Sequence, residues 1–164
     1  MSRAKIIFPV IFFIPCFVFA YDGYDDMEAR FSIGIGLELN VNARQQLAGG
    51  AALSFDANFG KSLAAGIIVT GYTDFRGRYM LEPVALLRWY FLKNRGHTSW
   101  FVQADLGAHI SFKNEELDEN KALVSGGLRV GLRIPLGRVF LLEPYVRAGY
   151  PFMLCFGITS GFRF

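Results

Sequence analysis

His109 and Ser111 are the pair of residues best suited by type and spacing to covalent chemistry. Residues two apart on a strand share a face, so the histidine could take the serine proton and make the hydroxyl a nucleophile. A carboxylate would orient the imidazole in such a site, and four acidic residues follow: Glu115, Glu116, Asp118 and Glu119. The pair is therefore a catalytic candidate. The alternative that we favour is a histidine held in a polar network.

A larger set of charged residues lies at every second position of several apolar segments. Because alternate side chains of a strand face opposite sides of the sheet, we expect the set to share one face. Its signs are balanced, which favours mutual ion pairing over a selective pore, since pores usually carry rings of one sign. Arg133 and Glu143 should lie about opposite each other across the turn 135–138. The set is Glu38, Asp56, Glu82, Arg88, Asp105, Arg129, Arg133, Glu143, Arg147 and Arg163.

The segments that carry these charges show the period of β-strands. In 31–42 every odd position is apolar, from Phe31 to Val41, and every even position is Ser, Gly, Glu or Asn. This strict alternation predicts a strand long enough to cross a membrane. Polar or Gly- and Pro-containing connections separate the segments. Seven further segments repeat the pattern: 47–59, 63–73, 79–91, 100–112, 124–134, 140–150 and 154–164.

The composition favours a membrane protein without spanning helices. The chain of 164 residues is 52% hydrophobic and 19% charged, yet no segment after the first twenty residues offers the 18 apolar residues of a spanning helix. We therefore predict an all-β fold: an eight-stranded, antiparallel, up-and-down transmembrane β-barrel. A soluble barrel, the alternative, would carry its charges outside. Aromatic residues near strand ends should form outward girdles: Tyr72, Phe75, Tyr79, Trp89, Phe91, Trp100, Phe112, Tyr150, Phe152, Phe162 and Phe164.

The first twenty residues have the layout of a secretory signal peptide. Arg3 and Lys5 precede an apolar run over 6–19, and Ala20 is a suitable cleavage residue. Acylation of Cys16, as in a lipoprotein, is a less favoured alternative because Pro15 precedes it. The predicted domains are the signal peptide 1–20, a periplasmic segment 21–30 and the barrel 31–164. Removal of the signal leaves a nearly neutral chain, which gives no case for nucleic-acid binding.

The last predicted strand, 154–164, carries a resemblance to a known class. Its terminal Phe164 and the alternating Phe156 and Phe162 resemble the C-terminal insertion signal of outer-membrane barrels. The mature chain as a whole resembles the small outer-membrane barrels of diderm bacteria, the OmpA transmembrane domain and OmpW-like proteins. The resemblance implies export to the outer membrane and contact with its lipids. It also implies recognition by periplasmic chaperones and the barrel-insertion machinery.

Three functions remain open from the sequence. The first is a non-enzymatic barrel, either structural or a narrow, porin-like, OmpW-like conduit for small or hydrophobic solutes. The second is a hydrolase, because His109 and Ser111 resemble the His-x-Ser of lipid A deacylase barrels; however, Phe112 stands where that family has Asn, and parity places the pair in the lumen. The third is a surface adhesion or ligand-binding barrel, which the short connections disfavour. We expect no metal site, since the acidic loop 113–121 matches no metal motif. We also expect no cofactor. The sequence leaves the oligomeric state open.

Overall fold

The computed structural model describes residues 31–42, 47–59, 62–74, 77–91, 98–112, 120–137 and 139–164. The predicted signal peptide, the segment 21–30 and most of the loop 113–121 lie outside these ranges. Within them no helix is long and apolar enough to cross a membrane. The described residues form eight strands: β1 (Phe31–Asn42), β2 (Leu47–Phe59), β3 (Leu63–Asp74), β4 (Tyr79–Phe91), β5 (Ser99–Ser111), β6 (Lys121–Leu136), β7 (Phe140–Tyr150) and β8 (Phe152–Arg163).

The strands form a closed antiparallel barrel in chain order. Each strand pairs with the next, and β8 pairs with β1. Phe31 and Phe164 exchange two backbone hydrogen bonds of 2.9 and 3.0 Å at the end of this closing seam. Every strand is therefore paired on both sides over most of its length, as a structure that spans lipid requires. The predicted fold class is confirmed.

The register fixes the tilt of the strands. A line of paired residues that begins at Phe31 and crosses all eight strands returns to β1 at Val41, ten residues further along. This stagger in an eight-stranded barrel requires the strands to tilt by roughly 45°. At that tilt, strands of about 12 residues span the hydrocarbon core of a bilayer. The intermediate residues on the line are Ala57, Ala65, Leu87, Ala104, Leu128, Ala148 and Leu154.

The barrel has two distinct ends. We call the end that carries Phe31 and Phe164 the lower end, and the opposite end the upper end. Three connections lie at the lower end, between β2 and β3, β4 and β5, and β6 and β7. The last of these turns at Gly137, whose positive φ of 82° suits glycine. At the upper end, β7 and β8 are separated by Pro151 alone.

The outer wall of the barrel is apolar from one end to the other. Ile35, Leu106 and Leu128, all near the middle of their strands, are 65%, 66% and 60% exposed. Large apolar side chains in contact with water over a whole wall would be costly, whereas a lipid environment solvates them. The insertion-signal residues Phe156 and Phe162 belong to this wall. The alternation predicted for all eight segments therefore has its apolar side outward.

Two residues of the predicted aromatic girdle face inward instead. Tyr72 is 3% exposed and Phe152 is 8% exposed. Phe152 turns inward because the register between β1 and β8 shifts between Val41 and Asn42, which inserts an extra residue into β8. Tyr72 shares the parity of the polar face of β3. Phe75 lies outside the described residues.

The strand ends differ from prediction mainly in β6 and β8. β6 begins at Lys121 and continues through Pro135 to Leu136, whereas 124–134 was expected. Pro135 is tolerated because pairing with β5 already ends at Ser99↔Arg133, so no N–H is needed on that side. The prolines inside β4 and β7, Pro83 and Pro144, coincide with interruptions of the ladder, as expected for a residue that cannot donate.

Candidate functional site

The polar faces of the strands meet inside the barrel. Nine of the ten predicted charged residues lie there, and eight of these nine are at most 4% exposed; the ninth, Arg133, has a side chain that is 12% exposed. Arg163 differs, because it is only partly buried and donates to the carbonyl of Gly137 at the lower rim (2.9 Å). The enclosed set therefore contains five carboxylates and four guanidinium groups among the described residues.

Glu143 is the centre of the lower half of the interior. It accepts hydrogen bonds from Arg88 (3.0 Å) and from Nε of Arg133, so the predicted pairing of Arg133 with Glu143 is present. Arg133 also reaches both carboxylate oxygens of Asp56 at 3.4 Å. Ser32 donates to Asp56 at 2.6 Å. Two arginines and two carboxylates, one from each of four strands, thus neutralise one another inside the barrel.

Arg88 connects this group to polar side chains closer to the middle of the barrel. Its Nε donates to Gln103 (2.7 Å) and its Nη1 to the hydroxyl of Tyr90 (3.0 Å). The guanidinium lies 4.3 Å from the ring centroid of Phe101, a cation–π contact with a fully buried ring. We call Ser32, Asp56, Arg88, Gln103, Arg133 and Glu143 the lower cluster. Side chains from six strands are fixed in it by charge-assisted bonds.

Glu38 and Asp105 occupy the middle of the interior. Glu38 accepts hydrogen bonds from the hydroxyls of Tyr72 (2.6 Å) and Tyr145 (2.5 Å). Arg129 lies 3.4 Å from Glu38 and 3.3 Å from Asp105, with its guanidinium over the ring of Tyr145. Gln103 of the lower cluster donates to Asp105. The polar network is therefore continuous from the lower cluster to mid-barrel.

The upper half is organised around Glu82. Arg147 donates to Oε1 of Glu82 and lies 3.5 Å from Asp105. Oε2 of Glu82 lies 3.9 Å from Nδ1 of His109, which is beyond hydrogen-bond length. Phe152 packs edge-on against the imidazole at 5.4 Å and also contacts Tyr72. An apolar layer of Ala48, Tyr72, Phe152 and Met80 covers this level.

Several buried polar atoms in the upper half lack a hydrogen-bond partner. They are both amide atoms of Asn40, Oε2 of Glu82, Nδ1 of His109 and the hydroxyl of Ser125. We call these four residues the upper cluster; each lies near the upper end of its strand. The lower cluster contributes no atom to this set among the described residues. The two halves thus differ in how completely their polar groups are satisfied.

The lower cluster also leaves no space large enough for a water molecule. The cavity bounded by Ser32, Asp56, Arg133 and Glu143 cannot hold a water molecule. An eight-stranded barrel is just wide enough for its own side chains, and here long arginines and aromatic rings fill the cross-section. The described interior is therefore closed at this level.

The two catalytic candidates lie near the upper end of β5. His109 is 4% exposed and faces inward, and Ser111 is the last residue of the strand. The imidazole meets Glu82 and Phe152 rather than the lipid-facing surface. Among the described residues no group of three His, Cys, Asp or Glu side chains is arranged to hold a metal ion.

Sequence reasoning did not assign several apolar residues to the interior. Ile68, Val84, Leu86 and Phe101 all face inward and are at most 4% exposed. Parity could have found them, because Phe101 has the parity of Gln103 and Asp105. Phe101 supports the charged residues directly, since the guanidinium of Arg88 lies over its ring.

Comparisons with known proteins agree with this architecture. No family model and no curated protein matches the chain. Among solved structures, the chain is similar to neisserial surface protein A, with TM-score 0.67 and 11% identity over 82% of this chain and 96% of that one. It is also similar to the N-terminal β-barrel domain of Pseudomonas aeruginosa OprF, with TM-score 0.62 and 14% identity over 84% and 100%.

A third similar structure is the attachment invasion locus protein Ail of Yersinia pestis, solved in complex with the heparin analogue sucrose octasulfate. Its TM-score is 0.53, with 10% identity over 82% of this chain and 96% of that one. All three are outer-membrane β-barrels. At these identities the likeness shows the fold alone, so the chain is an eight-stranded barrel of the transmembrane type.

Proposed function

We propose that this chain is an integral outer-membrane barrel with a structural, non-conducting role. The observation that carries the proposal is the lower cluster, in which arginines and carboxylates pair across the lumen and leave no room for water. A pore needs a continuous wet path, and selective filters usually present charges of one sign. Here opposite charges pair, as buried ions must to offset desolvation.

The outer wall supports the membrane assignment. Apolar side chains cover its full height, and aromatic residues lie at both ends, including Trp89 and Trp100 near the lower end and Tyr79 and Tyr150 near the upper end. Aromatic girdles of this kind fix the depth of a barrel in a bilayer. A barrel whose lumen is filled by ion pairs would bind and order outer-membrane lipids without transporting them.

A narrow OmpW-like conduit is the second candidate. The observation in its favour is the upper cluster, where polar atoms without partners could be met by water or a solute. It would also require the lower cluster to open. Hydrolysis through His109 and Ser111 is not part of the proposal, because the imidazole is buried against Glu82 and Phe152.

Planar-bilayer recording of the refolded mature chain tests the proposal. We expect no stepwise conductance above that of the bare bilayer at physiological salt. A heat-modifiable gel shift of the same sample confirms that the inserted protein is a folded barrel. Reproducible unit conductance from the wild-type chain would contradict the structural role and favour the conduit.

Loss of an acyl chain from purified lipid A is the corresponding assay for the hydrolase. We expect none from the wild-type chain. Acyl release that disappears in Ser111→Ala, and persists in Ser125→Ala on the adjacent strand, would overturn the non-enzymatic assignment.

A further inference from the structure

The upper part of β6 extends beyond its neighbour β7. β6 pairs with β5 as far as Ser111↔Lys121. Its pairing with β7 begins only at Gly126↔Tyr150, where β7 ends and Pro151 leads directly into β8. Residues 121–125 therefore have a neighbouring strand on one side only among the described residues. The barrel wall is closed below this point and carries a short open edge above it.

The direction of the backbone groups along this edge follows from one hydrogen bond. Phe112 donates its N–H to the carbonyl of Tyr79 on β4 (3.0 Å). Successive residues of a strand direct their backbone groups to opposite neighbours, so Ser111 and His109 face β6, where they pair with Lys121 and Leu123. Consequently, Ala122 and Val124 direct their N–H and C=O groups away from β5, towards the open side.

The side chains on the edge are exposed on both faces of the strand. Val124, on the outward face, is 70% exposed, and Leu123, on the opposite face, is 46% exposed. Lys121, also exposed, shares the face of Leu123. Elsewhere in the barrel one of two successive residues is usually buried. The segment is thus an extended, half-paired strand with apolar side chains and one cation available to a partner.

We propose that the β6 edge, residues 121–125, is a docking site for an extended segment of a partner polypeptide, which adds a strand to the barrel. The edge offers donors and acceptors alternately at strand spacing, and another extended backbone matches both. A lipid phosphate would use only the donors. An acidic side chain facing Lys121 and an apolar one beside Leu123 define the chemistry of the partner segment.

Hydrogen exchange in the unbound chain provides the first test. In the refolded mature protein, we expect the amides of Ala122 and Val124 to exchange at least about tenfold faster than those of Leu123 and Ser125, because only the latter are bonded to β5. Slow exchange at all four amides would mean that the edge is already covered, and the proposal would fail.

A synthetic peptide tests docking itself. The probe is a short peptide of alternating threonine and valine with one central glutamate, added to the mature chain in detergent micelles. We expect it to slow exchange at Ala122 and Val124 by about tenfold or more. A version methylated at every amide nitrogen should have no effect, because it has no N–H to donate to the edge and its methyl groups clash with a paired strand. Equal protection by both peptides would overturn the proposal.

Substitutions on the edge separate backbone from side-chain recognition. Val124→Pro removes an N–H on the open side and should abolish peptide binding, whereas the matched Val124→Thr should retain it. Lys121→Glu should weaken binding of the glutamate peptide and favour one in which lysine replaces the glutamate. If vesicles of anionic lipid alone protect Ala122 and Val124 and the peptide adds nothing, the edge binds a lipid headgroup and strand addition is wrong.

Discussion

The lower and upper halves of the interior use the same kinds of side chains with different results. In the lower half, Arg88 and Arg133 share Glu143, and Ser32 donates to Asp56. In the upper half, Oε2 of Glu82 and Nδ1 of His109 stand 3.9 Å apart, and neither has a hydrogen-bond partner. The difference indicates that the lower half closes the barrel, while the upper half contains two buried polar side chains without partners, Asn40 and Ser125, whose removal should cost little.

The largest effect should follow loss of the shared carboxylate. Glu143→Ala removes the buried carboxylate that accepts hydrogen bonds from both Arg88 and Arg133 and leaves them the longer contacts with Asp56 (3.8 and 3.4 Å), and we expect it to lower the free energy of unfolding by about 3–5 kcal/mol. Urea titration of the barrel in detergent, followed by tryptophan fluorescence, measures this. Asn40→Ala in the upper cluster is the matched control and should cost far less. Equal losses would remove the distinction between the halves.

Removal of a phenol hydroxyl in the middle layer should have an intermediate effect. Tyr72→Phe deletes one of two hydroxyls that donate to Glu38. Hydrogen bonds to a charged group contribute about 1.5–3 kcal/mol, and we expect a loss in that range. Tyr79→Phe, on the outer wall, should leave the unfolding midpoint unchanged. A midpoint unchanged in Tyr72→Phe would mean that Glu38 is held by Arg129 and Tyr145 alone.

The smallest effects are expected for two serine-to-alanine variants. They compare the loss of one hydroxyl in the lower half with the loss of one hydroxyl in the upper half. Ser32 donates to Asp56, whereas the hydroxyl of Ser125 is buried without a partner. Ser32→Ala should therefore destabilise the barrel by about 1.5 kcal/mol, the low end of the range for a hydrogen bond to a charged group, because Arg133 still pairs with Asp56. Ser125→Ala should be neutral or slightly stabilising, because it removes an unsatisfied polar group. A larger loss for Ser125→Ala would show that an ordered water or solute occupies the upper cluster.

Much of the fold was predictable because strands have a period of two. In 31–42 each odd residue is apolar, and the strand occupies those twelve residues. The pairing of Arg133 with Glu143 was predictable for a similar reason, since both flank one short turn. Local sequence defines such contacts without knowledge of the barrel's stagger.

Contacts across the lumen could not be predicted in this way. Arg88 meets Glu143 over 55 positions of sequence, and which residues share a level depends on the ten-residue stagger, which no motif records. The inward turn of Phe152 depends on a bulge against β1. Arg163 has the parity of the interior, but it lies so close to the end of β8 that it reaches the rim at Gly137.

Conductance of two double variants tests most directly whether the lower half closes the barrel. Arg88→Ala with Glu143→Ala removes two long side chains of opposite charge from the lower cluster. His109→Ala with Ser125→Ala makes a similar deletion in the upper cluster. In planar bilayers, we expect stepwise conductance from the lower variant and silence from both the upper variant and the wild-type chain. Conductance from the upper variant, or silence from a folded lower variant, would contradict this assignment.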